Sequence, residues 1–246
     1  FKNIVAVKEF LGKNYPSIKP IIEIKLLKHN NINSINYFVK TTKNTFVLRN
    51  LKDSSSIKKI DEICKILEYC KNNKIKTIEP IKNKQKIFIN KPYKSYLTKY
   101  YEGDIFHGNK LEIKDLAITL AKLHNRLEKY PFKFNHRTNN QFYKILTLDE
   151  YDKIIVGIRN NEKEPIDRIV NKNYNLIKNA IILNDKYAKE ITKNSRKKQI
   201  IHNDLHPDNI LFLKNQVNVI LDFHSIKNDT ILRDVSMAGF RFSAFK

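Results

Sequence analysis

At 246 residues with 41% hydrophobic content, the chain is long enough to bury a real core as one large domain or two modest lobes. A formal charge of +22 raises nucleic-acid binding, but the lysines are spread through every segment among Asn and Ile instead of forming a basic stripe, so that function is disfavoured. No run approaches membrane-spanning length, FKNIVAVKEFLG lacks the apolar core and cleavage site of a signal peptide, and Cys64 and Cys70 fit neither a zinc site nor a disulfide framework, so a cytoplasmic protein with two core thiols is expected.

In chain order, the first hundred residues read as strands with one helix inserted. Ile18 to Leu27 is an apolar run with a proline near its start. Asn36 to Lys40 and Thr45 to Leu51 are β-rich runs flanking TTKN, a hairpin turn. DSSS then signals a helix start, and Ile60, Ile63, Cys64 and Leu67 recur at helical spacing. Two further strands are predicted over Lys86 to Asn90 and Ser95 to Tyr101. After Gly103 the character changes. Leu116, Leu120, Leu123 and Leu127 mark an amphipathic helix, and the chain reads as mainly helical to about residue 198. The boundary therefore falls in YYEGD, dividing the chain into residues 1–103 and 104–246.

The chemistry concentrates in residues 200–223, IIHNDLHPDNILFLKNQVNVILDF. Two apolar runs, NILFL and VNVIL, are separated by the polar KNQ, as in a β-hairpin with acidic residues at its ends. His202, Asp204 and Asn209 form H-x-D-x-x-x-x-N, and Asp222 follows the second strand. Phosphoryl transfer asks a protein to position an acceptor hydroxyl and to neutralise charge on phosphate oxygens. Asp204 can orient the hydroxyl and take its proton. Asn209 and Asp222 supply the hard oxygen ligands magnesium uses beside phosphates and water. A lone Asp or Asn is usually a turn former, but the joint pattern demands four residues at set offsets, which favours the catalytic reading. His202, preceded by two isoleucines, reads as a buried residue bracing the loop.

HNDLHPDNILF followed by VILDF resembles the aminoglycoside phosphotransferase and choline kinase superfamily, whose motif runs H-G-D-L-H-x-x-N and then I-D-F/W. The resemblance implies a protein-kinase-like, two-lobed α+β fold, with an amino-terminal antiparallel sheet carrying one helix and a mainly helical carboxy-terminal lobe holding the catalytic hairpin. It also implies Asp204 as base, Asn209 and Asp222 as magnesium ligands and His202 as a structural residue of the loop. Asn203 stands where glycine is frequent, and His224 where an acidic residue is frequent. LAITLAKLH, with His124, resembles the family's L-A-x-L-H helix end, and KNDTILRDVSMA resembles the segment in which an Asp such as Asp234 steadies the loop.

By the same resemblance, Arg49 on the third strand would face the nucleotide phosphates, with Glu62 of the following helix as its partner, although Glu68 flanks the opposite edge. LTKYYEG resembles the hinge, where backbone groups from Thr98 through Tyr100 to Tyr101 would bind adenine. No GxGxxG occurs; KHNNINSIN links the first two strands instead. The expected activity is transfer of phosphate from ATP or another nucleoside triphosphate, with Mg2+, to a hydroxyl of an amino alcohol, aminoglycoside or sugar. No activation segment ending in Ala-Pro-Glu follows Asp222, which argues against a protein acceptor. A catalytically idle kinase-like nucleotide-binding module is the alternative, and neither the acceptor nor the oligomeric state has a signal in the sequence. Asp149, Glu150, Tyr151 and Asp152 read either as walls for a cationic substrate or as helix capping. Ending about twelve residues beyond Asp234, the chain reads as a fragment short of the family's last helices.

Overall fold

Alternation along residues 34–51 sets which groups face the future site. The computed structural model describes residues 3–27, 34–51, 57–90, 93–134, 147–160, 164–194 and 198–244. Strands β1 (Ile21–Leu27), β2 (Ser34–Thr41), β3 (Thr45–Leu51), β4 (Pro80–Ile81) and β5 (Ser95–Lys99) form one antiparallel sheet in the order β1-β2-β3-β5-β4. Side chains of a strand alternate between faces. Phe46, Leu48 and Leu97 accordingly turn to one face with Tyr37 and Val39, while Val47, Arg49 and Thr98 turn to the other. The TTKN turn forms as expected: Thr41 Oγ1 donates to the carbonyl of Asn44 at 2.7 Å and accepts from the amides of Lys43 and Asn44.

The first face is covered by an element the sequence reading did not assign. Helix α1 (Ile4–Asn14) is capped by Asn3, whose side chain accepts from the amide of Ala6, and buries Val7, Phe10 and Leu11 against the sheet. The predicted strand over Lys86 to Asn90 begins in a turn closed at Asn83, and of its residues only Asn90 pairs, in an isolated bridge to Ser95. Asn83 Oδ1 accepts from the amides of Gln85 and Ile87, and Lys86 takes φ of 61°. This local side-chain bond competes with a ladder and wins. Helix α2 (Ile57–Asn72) buries Ile60, Ile63, Cys64 and Leu67 as the spacing predicts, along with Ile66 and Cys70. Its DSSS start and the linker between β1 and β2 lie outside the described residues.

Beyond Gly103, α3 (Lys110–Leu127) buries Leu116, Leu120, Leu123 and Leu127. Then come α4 (Leu148–Asn160), α5 (Pro165–Lys172) and α6 (Tyr174–Asn194), the pair β6 (Gln199–Ile201) and β9 (Lys227–Asp229), the hairpin β7 (Ile210–Leu213) and β8 (Gln216–Ile220), and α7 (Ile231–Ser243). Both edges of the hairpin are tied to the rest of the chain. Ile220 donates to the carbonyl of Lys76 at 2.8 Å and accepts from the amide of Ile78, while Phe212 and Asp104 exchange two backbone bonds of 2.8 and 2.9 Å. A single apolar cluster runs from α2 through α3 to the hairpin and α7. The architecture is the α+β, two-lobed arrangement expected. No helix of the described residues is long and apolar enough to cross a membrane.

Candidate active site

The loop from His202 to Asn209 is held from beneath by Asp234, which is fully buried at the first turn of α7. Its Oδ2 accepts from the amide of His202 at 2.8 Å and lies 2.9 Å from His124 Nε2. Its Oδ1 accepts from the amide of Asn203 at 2.6 Å. A carboxylate can only accept, so His124 donates from Nε2. Asn203 has φ of 66°, the left-handed region in which Asn and Gly are tolerated best, which accounts for the position's frequent glycine. Its Nδ2 also donates to the carbonyl of Ser225 at 3.2 Å.

His202 is fully buried. Its Nε2 lies 2.7 Å from the carbonyl of Leu221, so the proton sits on Nε2 and the imidazole donates. Its Nδ1 is then free to accept from the amide of Asp204 at 3.3 Å. Burial pushes its pKa below the usual histidine value, against the opposing pull of Asp234. The doubly hydrogen-bonded imidazole ties the backbone at Asp204 to that at Leu221.

Asp204 is left accessible, its side chain 41% exposed. Asn209 is buried, and its Nδ2 donates to the backbone carbonyl of Asp204 at 2.8 Å and to His206 Nε2 at 2.9 Å. With Nδ2 committed to the loop, Oδ1 is the side-chain atom available to a cation. The hairpin then closes the distance to Asp222. Ile210 pairs with Ile220, and one step further the carbonyl of Asn209 accepts from the amide of Leu221 at 2.8 Å. Asp222 takes φ of 47° and ψ of 72°, and its Oδ1 accepts from the amide of His224 at 3.3 Å. Phe223 is buried edge-on against the His202 ring, with centroids 4.6 Å apart.

Asn209 and Asp222 border a cleft of about 450 Å³ between the lobes. Val47, Ile78, Leu211 and Leu221 give it apolar walls, Thr98 to Tyr101 and Gly103 line one side, and Arg49, Asn209 and Asp222 share its polar end. Asp208 also lines it, a carboxylate to which the sequence reading gave no role. The donor set suits a hard cation: Asn209 and Asp222 offer oxygen atoms, and magnesium draws its remaining ligands from phosphate and water. Among the described residues no cluster of three His, Cys, Asp or Glu stands ready to hold a metal without such help.

Other expectations meet a different geometry. The Nε of Arg49 is buried without a hydrogen-bond partner. The charge of Glu62 bears on Lys65 and Tyr130, while Glu68 pairs with Lys82 at 2.6 Å and Asp61 with Lys65 at 2.6 Å. Of the acidic cluster opening α4, Glu150 Oε2 accepts from the amide and hydroxyl of Thr147, Tyr151 is buried, and Asp152 accepts from the Tyr174 hydroxyl. That is capping and packing. The sequence does not pair Tyr96 with His224, yet Tyr96 Oη lies 3.1 Å from His224 Nε2. Their 128-residue separation leaves no local signal.

Comparison with solved structures gives similar folds at low identity. Amicoumacin kinase hAmiN, solved with AMP-PNP, Ca2+ and Ami, is 12% identical over 98% of this chain and 69% of its own, with a TM-score of 0.62. Spectinomycin phosphotransferase APH(9)-Ia, solved with ADP and spectinomycin, is 15% identical over 96% and 73%, with a TM-score of 0.68. Choline kinase LicA from Streptococcus pneumoniae is 14% identical over 99% and 76%, with a TM-score of 0.61. A comparison with curated protein sequences finds no match. The family model for the APH phosphotransferase enzyme family matches residues 23–245, which takes in both lobes, the loop and Asp222, and the chain therefore belongs to that family.

Proposed function

We propose that the protein is a small-molecule kinase that moves the terminal phosphoryl group of ATP, as its magnesium complex, to a hydroxyl of an amino alcohol, aminoglycoside or sugar, working in the cytoplasm. In this reading residues 1–103 form the nucleotide lobe and hinge, and residues 104–246 the catalytic lobe. One observation carries it: an accessible carboxylate, Asp204, shares a short braced loop with Asn209, whose backbone is bonded beside Asp222 at the polar end of an apolar-walled cleft.

Adenine would lie between Val47, Ile78, Leu211 and Leu221, bonded by backbone groups between Thr98 and Tyr101. Arg49, its buried Nε unused by protein, would meet phosphate oxygens with a planar fork. Asn209 and Asp222 would hold the magnesium, which supplies charge neutralisation at the phosphates. Asp204 orients the acceptor hydroxyl and takes its proton as the new O–P bond forms and ADP leaves. The acceptor class is drawn from the family and from solved relatives named for antibiotics and choline.

The test is ADP release over a panel of aminoglycosides, choline, other amino alcohols and sugars, with Asp204→Ala beside the unaltered protein. Loss of about 10²- to 10⁴-fold in turnover with nucleotide binding retained is expected. Unchanged turnover in Asp204→Ala would remove the base. Nucleotide binding with no turnover on any acceptor would favour the idle binding module.

A further inference from the structure

We infer that Tyr96 and His224 are a positioning pair that fixes Asp222 across the cleft from Arg49. The inference rests on the phosphotransferase reading and concerns the residue that stands where the resembling family frequently has an acid.

The loop carrying Asp222 needs holding, because a non-glycine residue at φ of 47° sits in a sparsely populated region. One hold lies on the catalytic-lobe side, where Phe223 is buried edge-on against His202. The other crosses the lobes. His224, whose own amide donates to Asp222 Oδ1, places Nε2 3.1 Å from the hydroxyl of Tyr96 on β5. Tyr96 is 4% exposed, so its ring is fixed by packing and its hydroxyl is a rigid partner.

The register of the sheet gives this contact its meaning. Arg49 is the direct cross-strand partner of Tyr96 and projects on the same face, so the strand pair that carries the cationic group also carries the latch. Through Tyr96 and His224 the separation between Arg49 and Asp222 is set by side chains before any ligand arrives. An acid at position 224 would add a second carboxylate beside the cation; here the position holds the loop instead, leaving Asp222 as the carboxylate of the pair with Asn209.

A purely structural contact and a positioning contact differ in what they move. The measurement is the Mg2+ concentration for half-maximal binding of AMP-PNP by calorimetry, with the thermal midpoint of the ligand-free protein recorded beside it. Tyr96→Phe, which deletes one oxygen and keeps the ring, is expected to raise the Mg2+ requirement about tenfold, as is His224→Leu. His224→Gln, whose amide reaches the position of the imidazole Nε2, is expected to stay within about twofold of the unaltered protein. A lowered thermal midpoint with an unchanged Mg2+ requirement in Tyr96→Phe overturns the inference. Failure of the unaltered protein to bind AMP-PNP with Mg2+ overturns the kinase reading, and the positioning role with it.

Discussion

The carboxylate of Asp234 accepts a hydrogen bond at 2.6 Å from the backbone amide of Asn203, 31 residues earlier in the chain. The same group takes the amide of His202 and the ring of His124, so three buried donors converge on one side chain. Asp234→Ala strands all three and is expected to lower stability by about 3–5 kcal/mol, read from urea unfolding. Asp234→Asn keeps one acceptor oxygen and should lose less. Asp204 moves with this loop, so turnover should fall in both variants.

Asn203 offers a conformational test. At φ of 66° glycine is unstrained, whereas alanine is not. Asn203→Gly should stay within about 1 kcal/mol of the unaltered protein, its relief offset by the lost bond to Ser225. Asn203→Ala should cost roughly 1–2 kcal/mol. Thermal midpoints measured side by side decide it.

Gly103 is needed for a close approach. A Cβ there would lie 2.8 Å from the carbonyl oxygen of Phe212 and 3.0 Å from Leu211 Cβ, with φ at 155°. Gly103→Ala should cost about 2–3 kcal/mol in urea unfolding. Because Gly103 and Leu211 both line the cleft, it should also weaken nucleotide binding.

Stability should fall on mild acidification, in part through His202. Burial holds its pKa below the ordinary 6.5. The unfolded chain therefore takes up this proton first as pH drops. Its contribution is complete above about pH 6.5 and is lost as pH falls from there through the folded-state value, at roughly 1.4 kcal/mol per pH unit inside that window. His224 shifts the same way, also chiefly through burial. Urea unfolding between pH 7.5 and 5 should show the decline, and His202→Gln should flatten it without abolishing it.

Much of this was legible because the informative residues are close in sequence. The hairpin announces itself by two apolar runs around a polar turn, and it alone brings Asn209 beside Asp222. Helix α1 carried a signal as clear as that of α2: Asn3 ahead of Val7, Phe10 and Leu11 is a cap followed by helical spacing. The strand predicted at Lys86 to Asn90 failed where an Asn83 turn outcompetes β propensity, a contest decided by geometry. The partner of Arg49 and the pairing of Tyr96 with His224 depend on how α2 and the lobes pack, and no spacing encodes that.

The hairpin β7–β8 is bonded along both outer edges, to residues 76–78 on one side and to Asp104 on the other. Only the first of these crosses between the lobes, and parting them would leave the amides of Ile78 and Ile220 without partners and expose the shared apolar cluster. Calorimetry should record one melting transition for the whole chain, with no separate step for either lobe, and residues 1–103 expressed alone should aggregate.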